Sequence, residues 1–129
     1  MLLIDESVIL STDTSETPKV AYVKADPGIC GFACTVKACK TGKRKVSVEI
    51  IDSECQQVKR LANSLTEMTL KDLFLPLTRN PVYIAAEKAG CHPSCAIPSA
   101  VLKAVEVAMD MALPKDVQLK FRTNNESRG

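Results

Sequence analysis

Tryptophan is absent from this chain of 129 residues, and the other aromatics amount to two Tyr and three Phe. A chain so poor in rings lacks the stacking platforms on which single-stranded nucleic acids are held, so nucleic acid is not an expected partner. Histidine occurs once, at His92. Sites built on several imidazoles are thereby excluded, and no Ser/His/Asp set suggests itself. No stretch approaches the ~18 apolar residues of a membrane span, so no membrane partner is expected. The N-terminal MLLIDESVIL starts apolar but has no basic flank and is interrupted by acids. It does not read as a secretory signal, which makes the cytoplasm the expected location. Gly28 and Gly31 come without the lysine and following helix of a phosphate-binding loop.

What is present suffices for a core. Hydrophobic residues make up 46% of the chain, a normal share for a globular domain, and they must build it from Val, Leu, Ile, Ala and Met. The length suits one domain. Charge divides the chain unevenly. Residues 1–18 hold Asp5, Glu6, Asp13 and Glu16 and no Lys or Arg, which leaves 17 basic against 11 acidic residues in the remainder. Such a body attracts anions weakly and falls short of a nucleic-acid footprint. The expected organisation is an acidic, flexible segment over 1–18, a single α+β domain over 19–122, and a disordered tail over 123–129. There is no internal repeat.

Residues 20–24 read as a strand ended by the turn signal Asp26-Pro27-Gly28. Residues 32–39 alternate, with Phe32, Cys34, Val36 and Ala38 on one face. A hairpin turn at 40–43 leads to a partner with Val46, Val48 and Ile50 on one face. Ser53 and Gln56 fit a capping box. Val58, Leu61, Ala62 and Leu65 follow at the spacing of an amphipathic helix. Thr69 is the expected cap of a short helix reaching Leu75. Asn80-Pro81 opens another, and Gly90 ends it. A last helix is expected from Pro98 to about Ala112, stopped by Pro114, and Val117, Leu119 and Phe121 alternate as a closing strand. The expected fold is α+β: a β-meander first, giving a three-to-four-stranded, mainly antiparallel sheet with helices packed on one face.

The six cysteines cluster at the ends of these elements. Cys30 and Cys34 lie on the turn into the hairpin, Cys55 at the start of the following helix, and Cys91 and Cys95 around the connector GCHPSC before the last helix. In a reducing compartment, cysteines at converging element ends point to metal binding or thiol chemistry over a disulfide framework. His92 adds a nitrogen donor. Cys55 and Cys95 fall at helix N-termini, where the dipole favours thiolate. Cys39 falls on the face opposite Cys34 and reads as structural. The basic run Lys40, Lys43, Arg44 and Lys45 reads as a solvated hairpin tip.

This order of cysteines resembles the NifU/IscU-type iron–sulfur scaffold domain over about residues 28–112. The run Pro93-Ser94-Cys95-Ala96-Ile97-Pro98 is similar to the Thr-Ser-Cys-Pro-Asp run of TSCPD domains. Residues 20–121 also look like an uncharacterised family of small Cys-containing proteins of anaerobic bacteria and archaea. The scaffold resemblance implies a cluster held by Cys30 or Cys34, Cys55 and Cys95. Gly31-Phe32 stands where that family has Gly-Asp, so the acidic helper is missing. The expectation is a non-enzymatic module binding an iron–sulfur cluster or zinc. Its metal-site candidates are Cys30, Cys34, Cys55, Cys91, Cys95 and His92, and no catalytic residue is singled out. Its partners are the metal ion or cluster, with a partner protein and a homodimer left open. Two other readings stand beside it: a thiol/disulfide redox or sensor protein using Cys91 and Cys95, and a structural domain with inert cysteines.

Overall fold

Alternation of apolar and polar residues builds the sheet. The computed structural model describes residues 19–29 and 31–124. The acidic segment 1–18, the candidate Cys30 and positions 125–129 of the tail lie outside the described residues. Four strands, β1 (Val20–Ala25), β2 (Cys34–Gly42), β3 (Lys45–Ile51) and β4 (Glu67–Thr69), pair antiparallel in the order β1-β2-β3-β4. The register sets Ala25 opposite Cys34, Val23 opposite Val36 and Ala38 opposite Val48. Ala21, Ala25, Cys34, Val36, Ala38, Val46 and Val48 are buried on one face.

Among the described residues four helices cover that face: α1 (Gln56–Ser64), α2 (Leu70–Leu73), α3 (Pro81–Ala89) and α4 (Ile97–Ala108), with a 3-10 turn at Leu77–Arg79. The expected α+β class and meander are therefore present. α4 lies across β1 and β2, while α1 packs against α3 and β3. Ala100, Ala104 and Ala108 recur every four residues on the buried side of α4, and their small side chains let the helix approach the sheet closely. The largest fully buried side chains include Leu61, Met68, Ile97, Val36 and Val101, and among the described residues no aromatic side chain is buried. Among the described residues no helix is long and apolar enough to cross a membrane.

Several signals in the sequence operate as expected. Thr69 and Asp72 form a reciprocal capping box on α2. Asn80 caps α3 by accepting from the Val82 N–H at 3.0 Å. Its buried amide also donates to the Asp72 and Leu75 carbonyls at 3.1 and 3.2 Å, tying α2 to α3.

Other elements depart from the sequence reading. The hairpin turn sits at Lys43-Arg44, because a register shift between Lys40 and Gly42 carries the strand past the expected turn at 40–43. Ser53 and Gln56 form no capping box. Cys55 is the N-cap of α1 with no side-chain cap, and Ser53 Oγ accepts from the Cys55 N–H instead. α4 stops at Ala108, short of Ala112, because Asp110 takes a left-handed φ of 62°. The Asp110 and Met111 N–H groups then return to the Val107 and Glu106 carbonyls, closing a Schellman motif. An ion pair from Lys19 holds the Asp110 carboxylate and keeps it below the usual carboxylate range.

The expected closing strand is absent. Residues 113–123 take no regular structure, and Val117, Leu119 and Phe121 are 59%, 86% and 91% exposed. Alternation permits a strand, but a strand also needs a sheet edge to pair with, and the early stop of α4 leaves this segment off the sheet.

Candidate functional site

Two turns of the backbone, the entry to α1 and the connector between α3 and α4, deliver cysteines to one place. Cys55 is the extended residue on which α1 begins. Cys91 is positioned by the way α3 ends. Gly90 takes a φ of 85°, a conformation that costs a residue with a Cβ. This lets its N–H return to the Glu87 carbonyl at 3.1 Å and the Cys91 N–H return to the Ala86 carbonyl at 3.0 Å. That Schellman motif fixes the Cys91 backbone. The turn continues to Cys95, whose N–H donates to the His92 carbonyl at 3.1 Å, and α4 starts two residues later at Ile97-Pro98.

Between these turns lies a cleft of about 180 Å³. Cys55, Cys91, His92 and Cys95 line it together with Gln57, and Pro27, Phe32, Val58 and Ile97 supply apolar wall. Phe32, expected in a strand, precedes β2 and faces this cleft. Cys55, Cys91 and Cys95 are half-buried and His92 is exposed. The Cys55 thiol donates to Gln57 Oε1 at 3.2 Å.

Cys34, the first residue of β2, is only 3% exposed. Burial pushes its thiol up from the ordinary 9.0 to about 11, with the negative charges of Cys95 and Cys55 adding to the effect. Burial also pushes the Cys91 thiol up, again with Cys95 and Cys55 adding, while the Arg60 guanidinium opposes the rise. Cys55 and Cys95 thus act on both Cys34 and Cys91. In neutral solution the Cys34 and Cys91 thiols hold their protons.

The structure therefore brings Cys55, Cys91, His92 and Cys95 to one cleft, with Cys34 near enough to feel the charges of Cys55 and Cys95. Cys30 lies outside the described residues. Cys39 points to the other side of the sheet, where its backbone carbonyl accepts from Ser47 Oγ at 3.4 Å. Cys34, Cys39, Cys55 and Cys91 are free thiols. Among the described residues no three His, Cys, Asp or Glu side chains are arranged to hold a metal ion. Sequence reasoning missed Gln57, which lines the cleft, and Arg60, which ties α1 to the end of α3. Their spacing on α1 places both on the flank that faces the end of α3.

With this geometry established, comparison with known proteins adds a family. Residues 21–121 match the family of unknown function DUF6951. The chain belongs to that family. The DUF6951 match opens inside β1 and takes in all six cysteines and the segment after α4 as far as Phe121. No curated protein and no solved structure matches the chain.

Proposed function

We propose that this protein is a thiol-based binding module for a soft metal, either zinc or an iron–sulfur cluster, and that it carries its cargo rather than catalysing a reaction. The observation that carries the reading is that cysteines from the start of α1, the end of α3 and the turn before α4 open on one cleft. Thiolate sulfur is the donor that zinc and iron–sulfur clusters select.

The donor types suit such cargo, but the side chains are not arranged around an ion here and must draw together to hold one. Clustered thiolates repel one another, and the raised Cys34 and Cys91 thiols register that repulsion on top of burial. A soft cation would replace their protons and offset the repulsion. Cys55, Cys91 and Cys95 would hold it, with Cys34 behind them and His92 as a nitrogen donor at the cleft. Cys55 would exchange its hydrogen bond to Gln57 for the metal, and the turn carrying Cys91 and Cys95 would close on it. The likeness in cysteine order to iron–sulfur scaffold domains brings a cluster into the reading beside a single ion.

The raised Cys91 thiol makes this residue a poor attacking group for a dithiol enzyme, since attack on a disulfide needs a thiolate near neutral pH. A carrier also needs a protein that gives or takes the metal. The exposed apolar side chain of Phe32, in the cleft wall, is where such a partner would touch. A carrier of this kind needs its thiols kept reduced, which supports the expected cytoplasmic location. The test is the metal and sulfide content and absorbance of protein purified without oxygen, beside Cys55→Ser, Cys91→Ser and Cys95→Ser. Stoichiometric metal in the wild type and its loss in the variants supports the reading. Metal-free protein that forms a reversible Cys91–Cys95 disulfide replaces it with the redox reading.

A further inference from the structure

Arg60 stands where two walls of the cleft meet. It lies on α1, five residues after Cys55. Its Nε donates to the Ala89 carbonyl at 3.0 Å. Ala89 is the last residue of α3, so this is one of the carbonyls that a helix leaves without an internal partner. A cationic donor is favoured there by the helix dipole. The next two residues are Gly90 and Cys91. A Cβ built on Gly90 would stand 3.5 Å from Arg60 Nη2 and 3.7 Å from Gln57 Cγ. The two α1 side chains therefore cover the turn directly.

We propose that Arg60 is the positioning residue of the cleft: its hydrogen bond to the Ala89 carbonyl fixes the turn that carries Cys91 and Cys95 against the helix that begins at Cys55. The bond crosses from α1 to α3 at the one point where the chain turns from helix into connector. The inference rests on the metal-carrier reading for its purpose, but it can be tested on metal-free protein.

Three substitutions separate the parts of the side chain. Gln carries its amide nitrogen as many bonds from Cα as Arg carries Nε, so Arg60→Gln keeps a donor and drops the charge. Arg60→Lys keeps both, its nitrogen one bond further out. Arg60→Met keeps an apolar stem and drops both.

The experiment uses reduced, metal-free full-length protein. It measures hydrogen exchange at the Gly90 and Cys91 amides and the yield of Cys55–Cys91 cross-link with dibromobimane, located by peptide mass. Arg60→Met is expected to speed exchange at both amides by about threefold to tenfold, the range of one hydrogen bond. It should also lower the cross-link yield while leaving exchange at Leu61 and Val101 unchanged. Arg60→Gln and Arg60→Lys should stay near wild type. Wild-type behaviour in Arg60→Met overturns the proposal. So does a loss in Arg60→Gln equal to that in Arg60→Met, which would assign the effect to charge alone. Zinc affinity is then measured on the same proteins. If the exchange and cross-link results hold but no protein binds zinc or a cluster, the positioning role stands and the metal-carrier reading fails.

Discussion

Replacing Gly90 with alanine tests how the cleft is built, because two opposite outcomes are physically available. In a right-handed position at a helix end, Gly→Ala stabilises by about 0.4–1 kcal/mol by restricting the unfolded chain. Gly90 instead has a φ of 85°, where a Cβ costs roughly 1–2 kcal/mol. The added methyl meets Arg60 Nη2 at 3.5 Å and Gln57 Cγ at 3.7 Å, both ordinary contacts, so no clash adds to that cost. Gly90→Ala is therefore expected to destabilise by about 1–2 kcal/mol, roughly 3–10 °C in melting temperature for a domain of this size. Should the turn relax to avoid the strain, the returning bonds to Ala86 and Glu87 are lost and Cys91 moves. Thiol cross-linking between Cys55 and Cys91 would then fall with stability. The assay is urea unfolding of reduced, metal-free protein, with the cross-link yield measured beside it. An unchanged or raised midpoint would refute the left-handed turn and with it the account of how Cys91 is placed.

Other predictions concern the buried thiol and the C-terminal segment. The folded state binds the Cys34 proton more tightly than the unfolded state does, so its contribution is complete below pH 9 and is lost as pH rises from about 9 towards 11. The unfolding free energy from urea titration should fall across that window, by up to about 2–3 kcal/mol from this group. Cys34→Ala should flatten the fall, and a wild-type stability that stays level or rises there would contradict the burial of this thiol. For the exposed segment, Leu119→Ser combined with Phe121→Ser should leave stability within about 0.5 kcal/mol. A loss of several kcal/mol would mean that these side chains dock on the sheet after all.

Much of the fold could be read because its signals are local. The alternation through Val36, Ala38, Val46 and Val48 marks the meander, and Thr69, Asn80-Pro81 and Gly90 each mark a helix end through bonds made within a few residues. Two further readings failed where a distant partner decides. Val117, Leu119 and Phe121 alternate as well as any strand here, yet nothing in that run reveals whether a sheet edge awaits it. The end of α4 depended on Asp110 adopting a left-handed conformation beside Lys19, ninety-one residues away. The grouping of Cys55, Cys91 and Cys95 could be anticipated from their places at element ends. The depth of Cys34 and the bond from Arg60 to Ala89 could not, because each depends on how α1, α3 and the sheet pack together.

The central claim is that these thiols take up a soft metal in exchange for protons. It is tested most directly by calorimetric titration of reduced, metal-free protein with Zn²⁺ at neutral pH, in two buffers of different ionisation enthalpy so that released protons are counted. Saturation at one equivalent is predicted, with about one proton released for each thiol ligand. The melting temperature should rise with metal and fall back with chelator. Cys55→Ser, Cys91→Ser and Cys95→Ser should each weaken binding and reduce the proton count. Absence of saturable binding to fully reduced protein, with a melting temperature indifferent to zinc and chelator and no iron or sulfide in protein purified without oxygen, would contradict it.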